Sequence, residues 1–157
     1  MNNLIEGSNA PDFDLPADNG ESMSLASLRG KQVVLYFYPK DDTPGCTKEA
    51  IAFTGLGGEF EAQNTVILGA SPDGIAKHQK FKTKHDLNIT LLADEETQLA
   101  QAYGVWVEKN MYGRKYMGVE RSTFLIDTNG KVAKIWRKVK VAGHAEAVLE
   151  EATSLNA

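Results

Sequence analysis

The sequence predicts an α/β fold in which a central β-sheet lies between two layers of helices. Residues 33–38 and 65–71 are apolar, rich in β-branched and aromatic side chains, and typical of buried strands. Segments with helical spacing follow both strands, and the last third of the chain adds a hairpin and a final helix. This order of elements indicates a three-layer α/β/α sandwich, formed by a single domain over residues 1–157.

The first elements of the chain predict a small N-terminal β-hairpin with a turn at residues 18–20. A single helical turn is expected near residues 25–29, before the strand at 33–38. Pro39 ends that strand, and a helix that begins near Cys46 is expected to run to about residue 62.

Three glycines interrupt the helix that is predicted after Cys46, at positions 55, 57 and 58. Glycine weakens a helix by about 0.5–1 kcal/mol relative to alanine, so we expect a kink there. The same glycines could belong to a phosphate-binding loop. However, Phe60 occupies the last position of the pattern Gly-x-Gly-x-x-Gly, and no strand directly precedes them. A locally weak helix is the simpler interpretation.

The second half of the chain continues the alternation of strands and helices. Ser71 is expected to cap a helix that runs to His85, with Pro72 at its first position. The later predicted elements are a strand at 89–93, a helix at 95–103 with Leu99 and Ala102 inward, a hairpin or irregular excursion at 105–118, strands at 121–127 and 131–137 joined by a turn at 128–130, and a helix at 143–155 with Ala147 and Val148 inward.

Cys46 is the only cysteine among the 157 residues, and it lies where the first buried strand gives way to a helix. Unpaired N–H groups and the positive end of the helix dipole favour the reactive thiolate at such a point. A lone cysteine is more often an inert, buried apolar residue. Here, however, the run Asp-Asp-Thr-Pro-Gly at positions 41–45 is turn chemistry, which a core position rarely follows.

Pro39, Thr43 and Cys46 form the spacing Pro-x-x-x-Thr-x-x-Cys within a longer string, Tyr-Phe-Tyr-Pro-Lys-Asp-Asp-Thr-Pro-Gly-Cys-Thr-Lys-Glu-Ala, at positions 36–50. The spacing is the active-site motif of the peroxiredoxins. The longer string resembles their bacterioferritin comigratory protein, or peroxiredoxin Q, branch, and the resemblance covers about residues 4–149. It implies a thioredoxin-like fold and a thiol-dependent peroxidase that reduces hydrogen peroxide and organic hydroperoxides through a Cys46 sulfenic acid.

The resemblance suggests catalytic roles for the residues of this motif. Cys46 is the expected nucleophile, and the Thr43 hydroxyl can accept or donate a hydrogen bond beside the sulfur and the peroxide. Pro39 ends the strand and is expected to shield the pocket from bulk water. We also expect the aromatic residues of the segment 105–118 to border this site.

Arg121 is the fourth candidate catalytic residue, since it opens a predicted strand in the kind of segment where the family places its active-site arginine. A guanidinium keeps its charge and offers several fixed donors, which suits a thiolate and a developing oxyanion. The alternative is that Arg121 forms only a surface ion pair with Glu120 or Asp127.

Ile51 marks the one informative departure from the family pattern. Many members of this branch carry a resolving cysteine five residues after the reactive one, and others carry it in a later helix. The resemblance therefore implies a 1-Cys mechanism, in which an external thiol from thioredoxin, glutaredoxin, glutathione or another chain reduces the sulfenic acid. We expect Ile51 to be buried and to lock the helix start. We expect a monomer, or alternatively a weak or disulfide-linked dimer.

Composition and charge argue against several other classes of protein. A net charge of −4 gives no reason to expect nucleic-acid binding. No apolar run approaches the roughly 20 residues that a membrane-spanning helix needs. The first 12 residues lack the features of a signal peptide, and a single cysteine suits a reducing cytoplasm, which is the location we expect.

The three histidines, at positions 78, 85 and 144, lack the spacing of metal ligands, and we expect them on solvated helix faces. A metal site is therefore not expected, and the thiol peroxidase that the resemblance implies uses no metal, haem or flavin. One alternative to an enzyme remains open, namely a redox-responsive sensor or binding protein in which oxidation of Cys46 changes the affinity for a partner.

Overall fold

The computed structural model describes residues 4–156, and its central feature is a mixed five-stranded sheet in the order β5-β4-β3-β8-β9. Separate two-stranded hairpins are formed by β1 with β2 and by β6 with β7. The strands are β1 (Asp14–Pro16), β2 (Ser22–Ser24), β3 (Gln32–Phe37), β4 (Thr65–Ser71), β5 (Thr90–Ala93), β6 (Trp106–Met111), β7 (Arg114–Val119), β8 (Ser122–Ile126) and β9 (Val132–Trp136). The helices are α1 (Pro44–Gly55), α2 (Gly57–Ala62), α3 (Ile75–His85), α4 (Gln98–Ala102) and α5 (His144–Leu155).

Strand β3 lies at the centre of the sheet and is buried along its whole length. Because successive side chains of a strand point to opposite faces, its residues enter two separate hydrophobic clusters. One face packs with Leu99 and Ala100 of α4, and the other packs with Phe53 of α1 and Phe81 of α3. Helices therefore cover both faces of the sheet, and the predicted three-layer sandwich is confirmed.

Sheet topology brings three chain segments together at one edge. Strands β3 and β4 are parallel, so the loops that follow Phe37 and Ser71 lie side by side. Strand β8 runs antiparallel to β3, and its first residue, Ser122, pairs with Phe37. Arg121, which directly precedes β8, is therefore placed at the end of β3, close to the loop that leads into α1.

Several local predictions are confirmed. The N-terminal hairpin forms, a short 3₁₀ turn spans Ala26–Leu28, and the 105–118 segment is a regular hairpin. The helix predicted from Cys46 to residue 62 is divided at Leu56, between two of the glycines. The helix is therefore interrupted at the glycines, where the sequence predicted a kink.

Two helix starts differ from the predictions. Ser71 does not cap α3, because it pairs with Ala93 as the last residue of β4 and α3 begins at Ile75. Helix α4 begins at Gln98 rather than residue 95. The Asp94 carboxylate accepts hydrogen bonds from the amides of Leu99 and Ala100, and this side-chain capping fixes the start of the helix further along the chain.

Two residues predicted to face inward, Ala102 and Ala147, are exposed instead. In α4 the buried positions are Leu99 and Ala100, and in α5 they include Ala145 and Val148. Sequence spacing thus located both helices but misjudged which small residue each turns toward the sheet.

Candidate active site

Cys46 lies in the first turn of α1, and its side chain is 1% exposed. Thr43 is the N-cap residue, with extended backbone, and Pro44 occupies the first helical position, where its missing N–H costs nothing. The Thr43 side chain accepts no capping hydrogen bond from the helix amides. The N-cap side chain therefore does not compete with a neighbouring anion for the N–H groups of the first turn.

Arg121 contacts the sulfur directly. Its Nη2 lies 3.3 Å from Sγ of Cys46, and its Nη1 donates a hydrogen bond of 2.6 Å to Oε1 of Glu49. The alternative ion pairs with Glu120 and Asp127 are not the ones that form: the partner of Arg121 is Glu49. A guanidinium thus bridges the sulfur and a buried carboxyl group, which both lie on one side of α1.

Gly45 allows this close approach of the guanidinium. A Cβ atom at position 45 would lie 3.1 Å from Nη2 of Arg121, which is tighter than an ordinary contact. A larger residue would therefore push the guanidinium away from the sulfur of Cys46.

Glu49 is a site residue that the sequence reasoning missed. It is 1% exposed, and its Oε2 has no hydrogen-bond partner among the described residues. Burial raises the pKa of Glu49 to about 7, although the charge of Arg121 opposes the shift. The signal in the sequence was the spacing, since residues three apart on a helix share a face, and Glu49 follows Cys46 by three.

Thr43 and Pro39 belong to the loop that joins β3 to α1. The Thr43 hydroxyl donates a hydrogen bond of 2.8 Å to the carbonyl oxygen of Lys40, which fixes its orientation and leaves its lone pairs free to accept. Pro39 is half-buried immediately beyond the buried end of the strand. Of the four predicted site residues, Arg121 and Cys46 are in contact, and Pro39 and Thr43 lie in the loop that directly precedes α1.

The hairpin of β6 and β7 contributes a charge to this region. Its aromatic side chains Tyr112 and Tyr116 are exposed, at 101% and 43%. Burial lowers the pKa of Lys109, and so does the charge of Arg121. The charges of Cys46 and Glu120 raise that pKa. A second cation therefore lies within electrostatic reach of the sulfur, which the sequence reasoning did not anticipate.

The prediction that the histidines occupy solvated helix faces is wrong for two of the three. His78 is 0% exposed, and His144 is 7% exposed. His144 shares a hydrogen bond of 2.8 Å with the Thr123 hydroxyl, and burial, followed by the charge of Arg121, lowers its pKa to about 4. Among residues 4–156 no group of three or more His, Cys, Asp or Glu side chains could hold a metal ion.

The predicted burial of Ile51 is also wrong, since its side chain is 48% exposed. The buried positions of α1 are Cys46, Glu49, Ala50 and Phe53, which recur at the spacing of one helical face. Position 51 lies outside that face. Ile51 therefore cannot lock the helix start by burial.

Comparisons with known proteins identify the family and the fold of the chain. The model of the AhpC/TSA family matches residues 7–135. The peroxiredoxin Bcp of Bacillus subtilis is 51% identical over 144 residues, which cover 92% of each chain. The bacterioferritin comigratory protein of Xanthomonas campestris superposes with a TM-score of 0.89 at 42% identity, covering 92% of each chain. A cysteine-to-serine mutant of PrxQ from Xylella fastidiosa gives a TM-score of 0.94 at 34% identity, covering 100% of each chain.

No helix within residues 4–156 is long and apolar enough to cross a membrane.

Proposed function

The chain belongs to the AhpC/TSA family as a peroxiredoxin of the Bcp type, a thiol peroxidase, and we propose that Cys46 is its reactive thiol, with Arg121, Thr43 and Pro39 completing the site. The observation that carries this assignment is the 3.3 Å contact between Nη2 of Arg121 and Sγ of Cys46 at the start of α1. A permanent cation and a helix N-terminus both favour the anionic form of a thiol.

In the first step the Cys46 thiolate attacks the terminal oxygen of the peroxide. The S–O bond forms as the O–O bond breaks, and the leaving oxygen takes the electron pair and then a proton, giving water or an alcohol. Cys46 becomes a sulfenic acid. The Xanthomonas campestris relative has alkyl peroxide reduction activity, which supports organic hydroperoxides as substrates alongside hydrogen peroxide.

Arg121 stabilises both the thiolate and the negative charge that develops on the leaving oxygen. Thr43, with its hydrogen atom directed to the Lys40 carbonyl, offers its lone pairs as acceptors toward the peroxide proton. Pro39 borders the entrance at the end of the buried strand. Glu49 holds the second arm of the guanidinium and so sets its angle toward the sulfur.

The second half of the cycle requires a thiol from outside the chain, because Cys46 is the only cysteine of the 157 residues. That thiol attacks the sulfenic sulfur, water leaves, and a mixed disulfide forms. A second thiol then attacks the mixed disulfide and releases the Cys46 thiolate together with an oxidised reductant. We propose glutathione, a glutaredoxin or a thioredoxin as the reductant.

The test is peroxide consumption by the purified chain with dithiothreitol as the reductant. Wild type is expected to turn over many times, and Cys46→Ser is expected to show only the background rate, because the nucleophile is lost. Circular dichroism of the variant verifies that it folds.

Two results would contradict the proposal. Turnover above background in Cys46→Ser would show that another group is the nucleophile. A single stoichiometric oxidation of wild type, with no further consumption, would favour a redox sensor.

A further inference from the structure

A buried polar network joins the loop before α1 to helix α3. Asp41, in the middle of that loop, is 2% exposed, and His78 of α3 is 0% exposed. Nδ1 of His78 lies 2.6 Å from Oδ2 of Asp41, and Nε2 lies 2.8 Å from the carbonyl oxygen of Leu92. The other carboxylate oxygen of Asp41 accepts a hydrogen bond of 2.6 Å from the Tyr38 hydroxyl.

The partners of His78 determine its protonation state. The Leu92 carbonyl oxygen can only accept a hydrogen bond, so Nε2 donates to it. With a second proton on Nδ1, directed at Oδ2 of Asp41, the ring is an imidazolium that donates from both nitrogens. Burial alone would lower the pKa of His78, but the hydrogen bond and charge of Asp41, the Leu92 carbonyl and the charge of Asp73 outweigh it and raise that pKa. Tyr38 remains a donor because burial raises the pKa of its hydroxyl.

The same loop is also held through its backbone. The amide of Asp41 donates a hydrogen bond of 2.7 Å to Oδ2 of Asp73, which accepts a second hydrogen bond from the Ser71 hydroxyl. Lys77 pairs with the other oxygen of Asp73 at 3.0 Å. The charged and titratable groups that face His78 are thus Asp41 and Tyr38 of the loop and Asp73 beyond β4.

We propose that His78 is a positioning residue for the peroxidase reaction, which acts by holding Asp41 and, through it, the loop that carries Pro39 and Thr43. This inference rests on the proposed function. Asp41 lies between Pro39 and Thr43 in the chain, and the Thr43 hydroxyl is itself fixed to the Lys40 carbonyl. A loop that moves would therefore misplace Thr43 relative to the sulfur, and displacements of this kind cost up to about 100-fold in rate.

The charge on His78 makes this arrangement sensitive to pH. When His78 loses its proton, one ring nitrogen becomes an acceptor that faces another acceptor, and that contact turns repulsive. Since the pKa of His78 is raised in the folded protein, the loop is held below that pKa and loosens as the pH rises through it.

Asp41→Asn provides a matched neutral version of the network. Asparagine can still accept from Tyr38 through its oxygen, and its NH₂ group can donate to Nδ1 of a neutral His78, whose Nε2–H still donates to Leu92. Every hydrogen bond is kept without charge. His85→Gln is the control on the same helix. His85 also contacts the loop, through Asp42 at 2.9 Å, but this pair is at the surface, where such pairs contribute little.

The experiment measures three quantities for wild type, His78→Gln, Asp41→Asn and His85→Gln across neutral and alkaline pH. They are the rate constant for peroxide oxidation of Cys46, hydrogen exchange at the backbone amides of residues 40–43, 45 and 46, and the titration of His78 by NMR. We expect His78→Gln to react about 10-fold to 100-fold more slowly with faster exchange in the loop. Wild type should show an alkaline loss of rate and of exchange protection at the pH where His78 titrates. That loss should be absent from Asp41→Asn, and His85→Gln should behave as wild type.

The proposal is overturned if His78→Gln keeps the wild-type rate and exchange, or if the alkaline loss persists in Asp41→Asn. It is also overturned if NMR shows His78 neutral below its ordinary pKa in wild type. Failure of the proposed function has a different signature, since wild type would then lack turnover, while the NMR titration and the exchange of the loop would still report on the network.

Discussion

At the scale of single residues, one guanidinium contacts two acidic groups. Arg121 divides its donors between the sulfur of Cys46 and the carboxyl group of Glu49. Because the pKa of Glu49 is about 7, a part of the population carries a protonated Glu49 near neutral pH. In that state the charge of Arg121 acts on the sulfur alone, and Gly45 keeps the path between them open.

Thr43 provides a direct test of the hydroxyl in this site. Thr43→Val keeps the shape of the side chain but removes the hydroxyl, so we expect the oxidation of Cys46 by hydrogen peroxide to slow by ~10²-fold, comparable to the loss of one transition-state hydrogen bond. Thr43→Ser keeps the hydroxyl and should react nearly as fast as wild type. Stopped-flow tryptophan fluorescence measures both rates. Equal rates for the two variants would show that the position does not act through its hydroxyl.

At the scale of elements, the sequence predicted what depends on neighbours along the chain. The buried strand, the turn and the helix start around Cys46 are local patterns, and all three formed within two residues of where they were expected, with α1 beginning at Pro44 rather than at Cys46. The burial of His78 was not predictable in this way, because Asp41 is 37 residues away in sequence. The start of α3 was missed for a similar reason, since the pairing of Ser71 with Ala93 outweighs its preference for a helix cap.

Helix α1 allows a comparison of two of its own residues. Ile51 is half exposed, so Ile51→Ala should lower the free energy of unfolding by less than about 1 kcal/mol. Phe53 is 0% exposed and stacks on Tyr36 with ring centroids 4.8 Å apart, so Phe53→Ala should cost about 3–5 kcal/mol. Urea unfolding followed by circular dichroism measures both. If Ile51→Ala lowered the free energy of unfolding as much as Phe53→Ala does, Ile51 would stabilise the helix start as first predicted.

At the scale of the whole molecule, the sheet register assembles a site from segments far apart in sequence. Arg121 lies 75 residues after Cys46, and the pairing of Ser122 with Phe37 brings the two together. The sequence predicted the fold class because strands and helices alternate clearly. It could not predict that Arg121 pairs with Glu49, since that contact depends on the register of β8 against β3 and on which face of α1 meets it.

The buried ionisable groups also set how stability depends on pH, and two of them act in opposite directions. Glu49 has a raised pKa of about 7 against 4.5, so its contribution to stability is present below pH 4.5 and is lost as the pH rises to about 7. His144 has a lowered pKa of about 4 against 6.5, so its contribution is present above pH 6.5 and is lost as the pH falls. Each effect is on the order of 3 kcal/mol.

When one of these groups is substituted, the pH dependence of stability between pH 4.5 and 6.5 should therefore reflect the other group alone. Glu49→Gln keeps an acceptor for Arg121 but cannot ionise. The free energy of unfolding of this variant, minus that of wild type, should therefore increase as the pH rises through this window. His144→Gln should show the reverse, losing stability relative to wild type, because Glu49 then acts unopposed. Urea unfolding at several pH values measures the two differences. If the difference between Glu49→Gln and wild type does not change with pH, Glu49 is already ionised throughout the window and is not the buried acid inferred from its surroundings.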